Sequence, residues 1–271
     1  MITVLITIVL ALSFGTTLTL TDISPWYWSL LWTVLFFAGE QVLLSMWLKR
    51  KMGAVGEEVQ AILKQGQARM AQKVQRWRNK QMSNAKAAEA ELAKDRDALI
   101  NEVRAVLRPL ERYRLWVPLL GRQLATMELQ FAWQQKDTKR VDTLLDRALL
   151  VDPMLICIKL ARLWQKNAPT ADLRKVYAKA VRRARYGSTI LLASTYAWML
   201  VKRNEIDEAY KVLLAADEAN ESPVIKTNIQ ALANNKIAHF NNVGLGDEWF
   251  SLWLEEPKIK ARRVNQTRYF A

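Results

Sequence analysis

The sequence predicts an all-α protein in four parts: an N-terminal transmembrane helical hairpin (1–50), a basic helical stalk (51–120), an array of helix pairs with a cap (121–257) and a basic tail (258–271). Three observations carry that expectation. Two apolar stretches open the chain, a proline-free run over 55–107 repeats apolar residues at spacings of three and four, and the remainder repeats helix pairs 32 and then 36 residues apart. Seven Pro and nine Gly among 271 residues are few for a turn-rich β fold. An apolar share of 51% argues against disorder throughout.

The first apolar stretch, 2–20, carries no charge, and the second, 26–48, carries only Glu40. About 20 apolar residues cross a hydrocarbon layer of roughly 30 Å, so both are expected to span. Residues 21–25 leave room only for a tight turn. Trp26, Tyr27 and Trp28 at one end of the second stretch, and Trp47 at the other, are spaced like an interfacial aromatic belt. No basic residue precedes the first stretch, so an uncleaved hairpin is expected rather than a leader. Lys49, Arg50 and Lys51 follow the second stretch, and 49–86 holds ten basic residues against Glu57 and Glu58. Positive charge favours the cytoplasmic side, which predicts both termini and the repeat region in the cytoplasm. Glu40 is costly inside a span and is a functional candidate by default. An assembly role is expected for it, with service to a channel or transporter as the alternative.

The stalk has Val55, Val59, Ile62, Gly66, Met70, Val74 and Trp77, then Ala85, Ala88, Leu92, Leu99, Val103 and Val106, in a heptad-like pattern. One unbroken helix would reach about 80 Å. A hairpin broken near residues 82–84, with Ser83 or Asn84 as a cap, is the other form the pattern permits. The one-sided charge of Lys64, Arg69, Lys73, Arg76, Arg78, Lys80 and Lys86 suits an anionic lipid surface. A membrane-tethered nucleic-acid or anionic-lipid binder using the stalk and the basic tail is the alternative function. Nucleic acid is the less expected partner, because a juxtamembrane position already accounts for the charge.

After Gly121 the chain reads as helix pairs. Val141, Leu145 and Ala148 lie twelve, eight and five residues before Pro153. Leu160, Ala161 and Trp164, then Leu173, Tyr177 and Ala180, fill a second pair. Ala193, Tyr196, Ala197 and Leu200, then Ala209, Leu213 and Ala216, fill a third that ends at Pro223. Further helices over 224–240 and 247–255 are expected to close the array. On these residues the stretch 122–224 resembles the tetratricopeptide family, whose repeat runs about 34 residues. The resemblance implies a solenoid whose first helices line a concave groove. It assigns Gln130, Trp133 and Gln134 to that groove, followed by Arg162, Gln165 and Lys166, then Trp198 and Lys202. Such a basic groove would suit an acidic or aromatic segment of a partner protein. For any single tryptophan at helical spacing, interior packing is the competing expectation.

Catalytic equipment is sparse. Phosphate-loop, dinucleotide and metalloprotease motifs and a C-x-x-C pair are absent from the sequence. Cys157 is the only cysteine and His239 the only histidine, so neither a disulfide within the chain nor a Cys/His zinc site of its own can form. No catalytic residue, metal or cofactor is expected. Cys157 should be a buried inert thiol, and the pair Glu255-Glu256 a surface or capping feature. Two spans followed by such repeats are similar in layout to the HemY family and to the repeat-bearing inner-membrane subunit of Pel-type exopolysaccharide export systems. That layout implies a membrane-anchored, non-enzymatic scaffold, working with protein partners and membrane lipids as part of a larger membrane complex.

Overall fold

The computed structural model describes residues 2–21, 25–79, 85–114, 117, 119–183 and 189–256. All regular structure among them is helical. The chain divides into two units, Met1–Leu149 and Leu150–Ala271.

In the first unit α1 (Ile2–Leu20) lies against the start of α2 (Trp26–Asn79). Phe14 stacks on Phe36 with centroids 4.5 Å apart. Gln41 donates to the Thr7 hydroxyl at 2.6 Å, and Gly15 leaves room for Thr33, which a larger side chain would meet. As one number in these pairs rises the other falls, so the helices are antiparallel. Ser13, Thr16, Thr17 and Thr19 return their hydroxyls to carbonyls three or four residues back, which satisfies them without water. The sequence leads to an expectation of two spans. Among the described residues one helix is long and apolar enough to cross a membrane, over Tyr27–Leu44, whereas α1 offers the shorter apolar segment Leu5–Leu20.

α2 passes residue 50 without interruption and runs for 54 residues, about 80 Å. Its distal part is covered by α3 (Ala85–Leu107), which runs back along it. Lys73 reaches Glu91 at 3.2 Å and Asp95 at 2.5 Å, and Leu99 packs over Gly66. The stalk is therefore a helical hairpin rather than one rod. Residues 80–84, with the expected caps Ser83 and Asn84, lie outside the described residues. Part of the heptad-like pattern supplies its seam, whereas Val74 is exposed. Val59 and Val103 are buried together with Ile100, Leu107, Leu110 and Phe131, with Val55, Ile62 and Val106 packed against them. Each such burial stabilises by about 1.5–3 kcal/mol. A 3₁₀ turn over Arg108–Tyr113 leads to α4 (Leu120–Gln134) and α5 (Thr138–Leu145). Ala148 was expected on this last helix and lies beyond it. The Thr126 hydroxyl accepts the Leu149 N–H at 2.8 Å and draws the chain out of helical register.

The second unit holds α6 (Pro153–Gln165), α7 (Thr170–Arg183), α8 (Ile190–Lys202), α9 (Ile206–Ala219), α10 (Pro223–Ala233) and the single turn α11 (Asp247–Phe250). α6 packs on α7 and α8, α8 on α7 and α9, and α9 on α10. The apolar positions read from the sequence are inside: Leu160, Ala161, Leu173, Ala193, Tyr196, Ala197, Leu200, Ala209 and Leu213 are all buried. Asp152 caps α6 by accepting the Met154 N–H at 3.1 Å, with Pro153 at the first helical position. The closing helices are shorter than expected. α10 stops at Ala233, and only Asp247–Phe250 of the last segment is α-helical. Between them Asn242 donates to the Ser194 carbonyl at 2.9 Å and accepts from Asn228 at 2.9 Å. These buried polar groups satisfy one another and hold the loop in place of a longer helix.

One terminator recurs. At the ends of α4, α6, α8 and α10 the residues Lys136, Asn167, Asn204 and Asn235 have φ of 58°, 53°, 62° and 54°. In each case the next N–H bonds the carbonyl five residues back: Asp137 to Ala132, Ala168 to Leu163, Glu205 to Leu200 and Lys236 to Ala231. This is the Schellman cap, in which a left-handed residue turns the chain and satisfies carbonyls the helix leaves open. Asn suits three of the four because it tolerates that conformation best after Gly.

Candidate functional site

In the second unit three indoles form a row. Trp164 of α6 meets Trp198 of α8 edge to face at 5.4 Å, and Trp249 of α11 also meets Trp198 edge to face, at 5.7 Å. A buried indole N–H needs an acceptor. Glu255 serves two of them, accepting from Trp198 Nε1 at 2.8 Å and Trp249 Nε1 at 3.1 Å. Cations lie on the rings, with Lys202 Nζ 5.2 Å from the Trp198 centroid and Arg203 Cζ 5.1 Å from that of Trp164. Arg203 also donates to the Thr170 hydroxyl at 2.8 Å and to the Ala168 carbonyl, while Thr170 donates to Glu205 at 2.7 Å. These bonds tie the end of α8 to the start of α7.

Of the groove residues assigned from the sequence, Trp198 is 5% exposed and Trp133 4% exposed. Both are packing residues, and Trp198 is covered by the chain's own Trp249. Gln165, Lys166 and Lys202 are exposed, and the half-buried Arg162 donates to Gln165 at 3.2 Å. They gather at one end of α6 and α8. Cations there also complement the negative ends of the two helices. In the first unit Gln130 is half-buried and Gln134 exposed. No protein-family model matches this chain, no curated protein matches it, and no solved structure matches it. The surface is therefore read from its own chemistry: a cationic rim beside a largely buried aromatic row, able to hold carboxylates by charge. Glu255 and Trp249 were missed in the sequence because 57 residues separate Glu255 from Trp198, and no local pattern links them.

Elsewhere the side chains are engaged in structure. Cys157 is fully buried, and burial pushes its thiol up to about 12, so it is protonated and unreactive at neutral pH. Among the described residues no three His, Cys, Asp or Glu converge as metal ligands. In the first unit Arg104 donates from Nε to both Glu128 oxygens at 3.2 and 3.1 Å, and Arg140 reaches the same carboxylate at 3.1 Å. That knot joins α3, α4 and α5. Along the apolar part of α2, Tyr27, Trp28 and Trp47 are exposed, as is Arg50. The side chains of Trp26, Lys49 and Lys51, and all of the tail 258–271, lie outside the described residues. Glu40 is half-buried, and its Oε2 is buried without a hydrogen-bond partner.

Proposed function

We propose that this chain is a membrane-anchored, non-enzymatic adaptor that holds protein partners at the cytoplasmic face of a bilayer through a tetratricopeptide-like array. The observation that carries the reading is α2. Its first part exposes Leu30, Leu31, Val34, Leu35 and Leu43 over a span-length window, and the same helix continues into the packed stalk. An apolar helix uncovered on most sides needs lipid around it. Paired with α1, it forms the proposed membrane hairpin. The fourfold Schellman cap and the buried small–large positions support a repeat array, since each helix pair must stack on a neighbour to cover its apolar face. The cationic rim of Arg162, Lys166 and Lys202 favours a partner segment rich in Asp and Glu. The resemblance of the sequence layout to the HemY family and Pel-type systems motivates assembly of an envelope polysaccharide export complex as its setting.

The test is purification of the full chain from membranes in mild detergent. A stoichiometric protein partner is expected, with Lys166→Glu plus Lys202→Glu releasing it by tenfold or more and leaving the chain in the carbonate-resistant membrane fraction. Recovery of the chain alone, or capture indifferent to those charges, overturns the reading.

A further inference from the structure

The return of α3 along α2 carries the turn Arg108–Tyr113 back to the foot of the apolar segment. The decisive contact is Trp47 against Tyr113, edge to face at 6.1 Å. Trp47 lies one turn beyond Leu44, the last residue of the span-length window, about 4.5 Å along the helix axis. A headgroup layer is roughly 5–7 Å thick on each side of the hydrocarbon. On the proposed membrane reading, which this inference rests on, Tyr113 and its neighbours stand at headgroup depth.

What they present there is cationic and amphipathic. Arg108, Arg112 and Arg114 are exposed, as is Arg50 on α2. Arg112 is held over the Tyr113 ring at 5.4 Å and donates to the Pro109 carbonyl at 3.0 Å. The stem of Arg114 lies across Gly121, where a Cβ would strike it. Beside these cations Leu119 is 55% exposed, with φ of 65°. Its carbonyl accepts the Arg122 and Gln123 N–H groups, both at 2.9 Å, so the start of α4 fixes this leucine on the surface. Glu111 is the acid of the turn, and three arginines outnumber it.

We propose that this corner is a second membrane contact: Leu119 dips into the interface while Arg108, Arg112 and Arg114 bind the phosphates of anionic phospholipids. Guanidinium forks suit phosphate oxygens, Tyr and Trp rings favour the interface, and a cation near an anionic leaflet gains about fivefold in association. The membrane hairpin and this corner together limit the tilt of the stalk against the membrane surface.

The test uses the full chain in lipid nanodiscs with and without phosphatidylglycerol, carrying a nitroxide at Leu119→Cys. Cys157 is buried and needs no replacement. Collision with oxygen against a water-soluble nickel chelate reports depth, with labels at Leu35→Cys and Lys64→Cys as references for span and stalk. The residue-119 label is expected at interfacial depth, several-fold more oxygen-accessible relative to nickel in anionic discs. Reversal of all three arginines to Glu should return it to the residue-64 value, while Lys at the three positions retains it. A residue-119 label that matches residue 64 in both lipids, with residue 35 immersed, overturns the corner and spares the anchor. A water-exposed residue 35 overturns both. Equal immersion in neutral and anionic discs overturns the lipid preference.

Discussion

Leu191, Leu192, Tyr196, Trp198, Met199 and Leu200 on α8 are all buried, whereas Leu30, Leu31, Trp32, Val34, Leu35 and Leu43 on the first part of α2 are all exposed. Both segments are strongly apolar. The difference lies in what covers them. α8 is enclosed by α6, α7, α9 and α11, while the apolar part of α2 has α1 against it. At 13 residues α8 is about 20 Å long, too short for a hydrocarbon layer of roughly 30 Å. Apolar content states that a helix must leave water, and packing decides whether protein or lipid receives it.

That contrast can be broken at its two ends. Leu192→Asp buries an uncompensated charge and should destabilise the second unit by about 4 kcal/mol or more, seen as loss of cooperative melting by circular dichroism. Leu35→Asp meets no protein core. It should leave helicity in detergent unchanged and cost about 2.5–3.5 kcal/mol of membrane insertion, read as release by alkaline carbonate. If Leu35→Asp unfolded the chain and Leu192→Asp did not, the assignment of the two environments would be reversed.

Smaller effects sharpen the packed side. Glu255→Ala strands the N–H groups of Trp198 and Trp249 and should cost about 1–3 kcal/mol, with an altered tryptophan emission spectrum. Asn204→Ala puts a Cβ-restricted residue in the left-handed cap and should cost about 1 kcal/mol, with Asn204→Gly near neutral. The same pair of outcomes is expected at Asn167 and Asn235. The last effect is silent near neutrality. Burial raises Tyr196 from 10 to about 12, against the opposing bond from Arg174. A raised value favours the neutral phenol in the folded state. Its contribution is thus complete below pH 10 and lost as pH climbs from 10 to 12. Tyr196→Phe should remove that alkaline component of the melting-temperature profile.

The helical class, the seam residues of the stalk and the buried positions of α6 to α9 were legible because each depends on spacing along one helix. Lys166 and Lys202 were assigned to a groove through the family resemblance, and both are exposed at the ends of their helices. Trp198 shows the limit. Its spacing suited both groove and core, and only the arrival of Trp249 and Glu255 from 51 and 57 residues away settles it as core. The Asn residues at helix ends are visible in the sequence, yet their common role emerges only from their positive φ.

By itself the sequence determined the helical class and most of the buried positions of α6 to α9, since apolar period acts within a few residues of one helix. Tertiary structure decided the rest: that the stalk doubles back, that Tyr113 returns to Trp47, and that one carboxylate serves two indoles. These depend on contacts between distant segments, which chain closure and side-chain shape select together and which no local pattern encodes.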